Sequence, residues 1–241
     1  MLVLTALPMA ALVVIYLVAA LLPAIFLMRY VYRMDTVEKE PPGLLAGLIF
    51  LGVAAALVAV ILETLGTGIL SAFVRQDEPA YTIILAFLVV AVVEEGAKFF
   101  FLRWRTWRDP NFNYQFDGIV YAVFVSLGFA AFENISYVMG YGLTTALYRA
   151  LLAIPAHMGF AVFMGLFYAR AKRCSDEGNV RRKRLNLWAA FLSAVLLHGF
   201  YDACALMGTL LSTLLFAAFV IVMYIVVIRI VKSESRNDQP V

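Results

Sequence analysis

Val92-Val93-Glu94-Glu95-Gly96-Ala97-Lys98 places two adjacent carboxylates and an ammonium inside a segment otherwise apolar enough to cross a bilayer. An ionised side chain at the centre of a membrane helix costs about 3 kcal/mol on insertion scales, and neighbouring like charges add repulsion. Such a pair is kept in hydrocarbon when it has a task.

The flanking sequence supports the membrane reading. Of the 241 residues 64% are hydrophobic and 15% charged, with a mean hydropathy of +0.90. That is too much apolar surface for a soluble domain, and it predicts an all-α polytopic membrane protein. Apolar runs long enough to span the bilayer predict about seven transmembrane helices, near 5–28, 43–70, 80–102, 118–139, 145–170, 187–206 and 209–230. They form one integral membrane domain over 1–241, with a catalytic core at about 80–206 and no soluble domain. No basic residue precedes Arg29, so the N-terminal run lacks the charged start of a cleaved signal peptide and reads as the first span. Cys174 lies in a basic loop and Cys204 in a span, and this separation predicts no disulfide.

Basic residues fall in alternate connections: Arg29 to Lys39, Arg103 to Arg108, Arg170 to Arg184, and Arg229 to Arg236. This pattern predicts an outward N-terminus and a cytoplasmic C-terminus. It reports topology, so no nucleic-acid partner is expected. The basic and aromatic loop from Trp104 to Phe116 reads as a membrane interface against the lipid bilayer.

The remaining polar residues are few. Glu94 and Lys98 are four apart and predict an ion pair on one helix face. Glu95, about 100° round the helix, has no evident partner there and reads as free to act, slightly ahead of Glu94 as the reactive carboxylate. Glu63 is expected near the outer surface, wet. Gly43 and Gly47 predict a small face for helix contact. Glu133 and Tyr137 share a face and predict a hydrogen bond or a common polar cavity, unless Glu133 pairs with Arg149. Pro155 frees a main-chain carbonyl one turn earlier, near His157. His198 and Asp202 are four apart, the arrangement in which a carboxylate fixes an imidazole tautomer. Helical rise puts Glu95, His157, His198, Glu133 and Asp202 about 20, 18, 13, 10 and 7 Å from the outer face, within reach of one cavity. A buried carboxylate, two imidazoles and a path for water are the parts of a hydrolase. No serine has a nucleophile's setting.

Glu94-Glu95-x-x-Lys98, Phe132-Glu133-x-x-x-Tyr137, His157 and His198-x-x-x-Asp202, in order on four successive spans, resemble the PrsW family of bacterial intramembrane proteases. That family sits in a larger group with the CAAX-prenyl type II endopeptidases and a non-catalytic scaffold subunit of γ-secretase. The resemblance implies a multi-pass protease of the bacterial cytoplasmic membrane. It implies a single-span membrane protein as substrate, an anti-sigma factor cut at its first site under envelope stress. It implies that Glu94 or Glu95 acts as base with His157 and that His198 contacts the oxyanion. Lys98, Glu133 and Tyr137 support the site. Asp202 stands where the related enzymes often carry Asn. An ionised Asp cannot donate to an oxyanion, so it orients His198 or binds a metal. The family has also been described as metalloproteases, with zinc on His157, His198, Asp202 and Glu95 the alternative here. The absence of HExxH favours chemistry with no metal and no cofactor. A proton-coupled transporter and a non-catalytic membrane scaffold are the competing functions.

Overall fold

In hydrocarbon a chain must satisfy its backbone hydrogen bonds internally, which a run of leucines, valines and alanines does by closing into helices. A computed structural model describes residues 8–241, and among these it forms helices and no strand. They are α1 (Met9–Met34), α2 (Pro42–Phe73), α3 (Pro79–Ile84), α4 (Val92–Thr106), α5 (Gln115–Tyr141), α6 (Leu143–Leu151), α7 (Ala153–Asp176), α8 (Val180–Leu206) and α9 (Leu210–Arg236). Positions 5–7 of the expected first span lie outside the described residues.

Six stretches are long and apolar enough to cross a membrane: α1, α2, α5, α6 with α7, α8 and α9. The remaining expected span corresponds to α3 and α4, which are joined through a π-helical stretch, Leu85–Ala91. Several helices run past the expected ends. α1 continues to Met34, α7 to Asp176 and α9 to Arg236, because helix formation does not stop where apolar composition does.

α5 is the hub, buried along most of its length, and α2 and α7 pack against it with their backbones nearly touching. A Cβ at Gly52 would lie 2.1 Å from the Val125 carbonyl oxygen, and one at Gly165 would lie 2.4 Å from the Gly118 oxygen. Small residues thus serve the contact, as expected in membranes. They are not the expected ones: a Cβ at Gly43 or Gly47 would meet nothing within 4 Å. The tight face of α2 begins at Gly52 and continues through the buried Ala55, Ala56 and Ala59.

The crossing made by α6 and α7 is broken at Leu152. Pro155 has no N–H to give the Leu151 carbonyl, and the hydroxyl of Tyr224 on α9 supplies it instead, at 2.7 Å. The same hydroxyl lies 3.1 Å from the Leu152 oxygen. The expected carbonyl is freed, and a neighbouring helix satisfies it.

The ends of α1, α5 and α9 meet at one end of the bundle. The Phe116 N–H donates to Asp238 Oδ1 at 2.9 Å, the Gln115 N–H to the Gln239 oxygen at 2.9 Å, and the Asn113 amide to Glu38 Oε2 at 3.0 Å. The loop after α1 brings two buried carboxyl groups here, Asp35 and Glu40. Neither Asp35 oxygen accepts a hydrogen bond from the described residues. Burial pushes Asp35 up to about 6 against the pull of Lys39, and pushes Glu40 up to about 7 despite Tyr121 and Asp117 beside it. Folding therefore favours the protonated acids. Their contribution is complete below the unfolded values near 4 and is lost as pH rises through about 6 to 7. The melting temperature of the full chain in detergent is expected to fall between pH 5 and 8, and D35N with E40Q to flatten that fall. A melting temperature that rises over this window contradicts the assignment.

Candidate active site

The π-helical stretch widens the backbone one turn before Glu94, a distortion that recurs at functional sites. From there α4 turns Glu94, Glu95 and Lys98 into the bundle, where the three are 5%, 0% and 1% exposed. Lys98 Nζ donates to Glu94 Oε2 at 2.9 Å and to Glu95 Oε1 at 2.8 Å, and lies 3.3 Å from His157 Nδ1. The expected Glu94 pair is present. The expectation that Glu95 lacks a partner on its own helix is corrected: a long lysine side chain reaches residues three and four positions back together.

The contacts continue through both histidines. His157 Nε2 lies 3.1 Å from Glu133 Oε2, which also accepts from Arg149 Nη2 at 2.7 Å. Arg149 Nε donates to Asn134 Oδ1 at 2.9 Å, and the Asn134 amide donates to the Ala20 carbonyl. On the other side His198 Nδ1 lies 2.9 Å from Glu95 Oε1, and His198 Nε2 lies 3.3 Å from Asp202 Oδ2. Both partners of His198 are carboxylates, so a ring that satisfies both carries an N–H on each nitrogen. His157 differs: Lys98 can only donate to it and Glu133 only accept, so it carries one N–H, on Nε2, if the carboxylate is ionised.

Glu94, Glu95, Lys98, Glu133, His157, His198 and Asp202 thus form one connected network. Tyr137 shares a cavity with Glu133, one of the two expected outcomes. It makes no hydrogen bond to Glu133, and its ring lies under the Arg149 guanidinium at 4.1 Å instead. Arg149 competes successfully for Glu133 because it offers a charged donor fork.

A cavity of about 240 Å³ opens onto this network, lined by Glu63, Glu94, Glu133, His157, His198 and Asp202 among others. Two features of it differ from expectation. Glu94 faces the cavity, whereas Glu95 is fully enclosed behind it. Glu63, expected as a wet surface carboxylate, lines the cavity as well, because α2 carries it past α5 to the level of Glu94. Asn134 is missing from the expected site, and Arg149 enters it only as the alternative partner of Glu133, the pairing that the structure has. The sequence already shows Glu63 and offers the Glu133–Arg149 pairing, but not the bond from Arg149 to Asn134.

α8 is seated against the π-helical stretch at the residue after His198. A Cβ at Gly199 would lie 2.3 Å from the Phe87 ring. The His198 ring stacks on Phe160 with centroids 4.9 Å apart.

A family model described as PrsW family intramembrane metalloprotease matches residues 40–230. The chain belongs to the PrsW family. It is 35% identical over 184 residues to Protease PrsW of Geobacillus kaustophilus, covering 76% of each chain. It is 32% identical over 223 residues to Protease PrsW of Halalkalibacterium halodurans, covering 92% of this chain and 98% of that one. With Protease PrsW of Bacillus subtilis the identity is 33% over 184 residues, 76% of this chain and 79% of that one. No solved structure matches. Membership of the PrsW family, with the apolar helices, makes the chain a multi-pass bacterial membrane protein of an intramembrane protease family.

The family description names a metal, and one group of the required kind exists among the described residues. Glu94, Glu95 and His157 each offer a ligand atom within 4.8 Å of the others. The alternative zinc set of His157, His198, Asp202 and Glu95 is not assembled as such a group, because His198 turns its nitrogens to Glu95 and Asp202 separately. Two carboxylates and an imidazole suit a divalent ion chemically. The ammonium of Lys98, however, touches all three at 2.8 to 3.3 Å. As arranged, the group does not accommodate a metal in addition.

Proposed function

We propose that the chain is an intramembrane endopeptidase that hydrolyses a peptide bond of a membrane-anchored protein by carboxylate-activated water. The observation that carries this reading is that Glu94 lines the cavity with one oxygen held by Lys98, while Oε1 takes no hydrogen bond from the described residues. That free oxygen is the general base. It takes a proton from a cavity water whose oxygen bonds to the scissile carbonyl carbon. As the C–N bond breaks, the same proton passes to the leaving amine. His198 Nε2–H turns from Asp202, 3.3 Å away, to the developing oxyanion. Glu95 holds the other side of the His198 ring, and Glu133 holds His157 against Lys98.

Because Lys98 already supplies the positive charge among Glu94, Glu95 and His157, the proposed reaction draws on no metal. Zinc is the alternative that the family description keeps open. A single-span anti-sigma factor is the substrate class proposed on kinship with the family, and the alternate basic loops support an outward N-terminus and a cytoplasmic C-terminus. Family membership weighs against the transporter and scaffold alternatives.

The test is the purified full chain in proteoliposomes with a single-span reporter. The wild type is expected to cleave it, and H198A to lose about 10²-fold or more in kcat without loss of folded protein. Cleavage by H198A at the wild-type rate removes His198 from the chemistry.

A further inference from the structure

Glu63 is the one carboxyl lining the cavity that has no cationic or imidazole partner among the described residues. Glu94 has Lys98, Glu133 has Arg149 and His157, and Asp202 has His198. Glu63 Oε1 is shielded from solvent and accepts no hydrogen bond from the described residues. A buried acceptor left unmade is costly, so its place at a cavity wall points to a donor that arrives from outside.

A second cavity, of about 210 Å³, adjoins the first and shares Glu63, Glu94, Glu133 and Tyr137 with it. It lies between α2 and α5, walled by Ala56, Ala59 and Phe129. The two helices touch at Gly52 against Val125 and the Gly128–Phe129 backbone, and the cleft opens beyond that contact. At its rim Val60 is 58% exposed and Tyr137 40% exposed, on the face that a bilayer covers. The cleft therefore joins the lipid side of the bundle to Glu94.

A membrane-spanning substrate reaches the cavity as a helix whose amides are all engaged. Its scissile bond becomes accessible only when a turn unwinds, and the freed N–H groups then need acceptors where water is scarce. We propose that the α2–α5 cleft is the binding groove for the unwound segment of a single-span membrane substrate, and that Glu63 accepts a hydrogen bond from its main-chain N–H. Either protonation state of the carboxyl leaves an oxygen that accepts, so the role does not depend on titration. The alanine walls admit small apolar side chains beside the scissile bond. This inference rests on the reading of the cavity as a protease site.

The experiment uses the full chain in proteoliposomes and a synthetic single-span reporter of about 25 apolar residues carrying one cysteine. E63A is expected to raise KM about 10- to 100-fold with kcat within about threefold of wild type, the cost of leaving a buried substrate N–H without its acceptor. E63Q, which keeps an acceptor oxygen, is expected to recover most of that loss. In a C174S/C204A background, S136C at the cleft is expected to form a disulfide with the reporter, and V222C, exposed on α9, to form none. E63A with wild-type kinetics overturns the proposal. So does an equal fall of kcat in E63A and E63Q at unchanged KM, which marks a proton donor. If the wild type cleaves nothing, the protease reading fails and the crosslink still decides: a disulfide from S136C alone upholds the groove, and its absence, or equal crosslinking from V222C, removes it.

Discussion

Glu94→Gln is expected to lower kcat about 10³-fold, while Glu95→Gln lowers it by about tenfold or less and leaves KM unchanged. The difference follows from the two oxygens of each side chain. Glutamine at 94 still accepts from Lys98, so the fold survives, but its free end is an amide that takes no proton from water. At 95 the bonds from Lys98 and His198 both end on Oε1, and an amide oxygen can accept both. What Glu95→Gln loses is charge, and with it part of the hold on His198. Steady-state kinetics of the two variants, alongside their melting temperatures, decide the matter. A dead Glu95→Gln beside an active Glu94→Gln would assign the base to the enclosed residue and sink the proposed mechanism.

Removal of Lys98 is expected to have the largest effect on stability. Lys98→Ala leaves two buried carboxylates without their cation, a change that costs about 3–5 kcal/mol when one partner of a buried pair is removed. It also clears the centre of a group with two carboxylates and an imidazole. Lys98→Ala should therefore unfold at a markedly lower temperature than wild type in chelator, and zinc or manganese should restore much of the loss. A site held at about 100 times its Kd returns about 2.7 kcal/mol. The wild type should show no such shift, and its activity should survive chelation. Stoichiometric metal in purified wild type, with Lys98 intact, would mean that the ammonium yields its place.

The helical segments were legible because hydrocarbon imposes length and composition on any helix that spans it. So were the pairs four residues apart, Glu94 with Lys98 and His198 with Asp202, since one helix fixes their geometry. The second bond of Lys98, to Glu95, depends on a side chain long enough to serve two turns at once, and spacing alone does not announce it. The π-helical stretch within Leu85–Ala91 has no compositional mark, because Leu, Phe, Val and Ala suit either winding. It nevertheless lies directly before the segment that carries Glu94 and Glu95. Glu63 reads as a wet outer carboxylate because a more polar run, Thr64-Leu65-Gly66-Thr67-Gly68, follows it, whereas its surroundings are decided by how α2 crosses α5. Tyr137 shares the cavity with Glu133 as their spacing allowed, while the hydrogen bond went to the guanidinium on another helix, an alternative that spacing could not decide. Tertiary contact thus decided the matters that periodicity leaves open.

The contact between Gly199 and Phe87 bears on how sharply the site is specified. The ring occupies the space that a methyl would fill on α8, one residue beyond His198, and Phe87 belongs to the stretch that delivers Glu94 and Glu95. The 2.9 Å bond from His198 to Glu95 therefore bridges two helices whose spacing is gauged by a hydrogen atom in place of a side chain. In the proposed mechanism, precision depends partly on volume withheld. A residue with no chemistry of its own sets the tolerance to which the acid and the imidazole are machined.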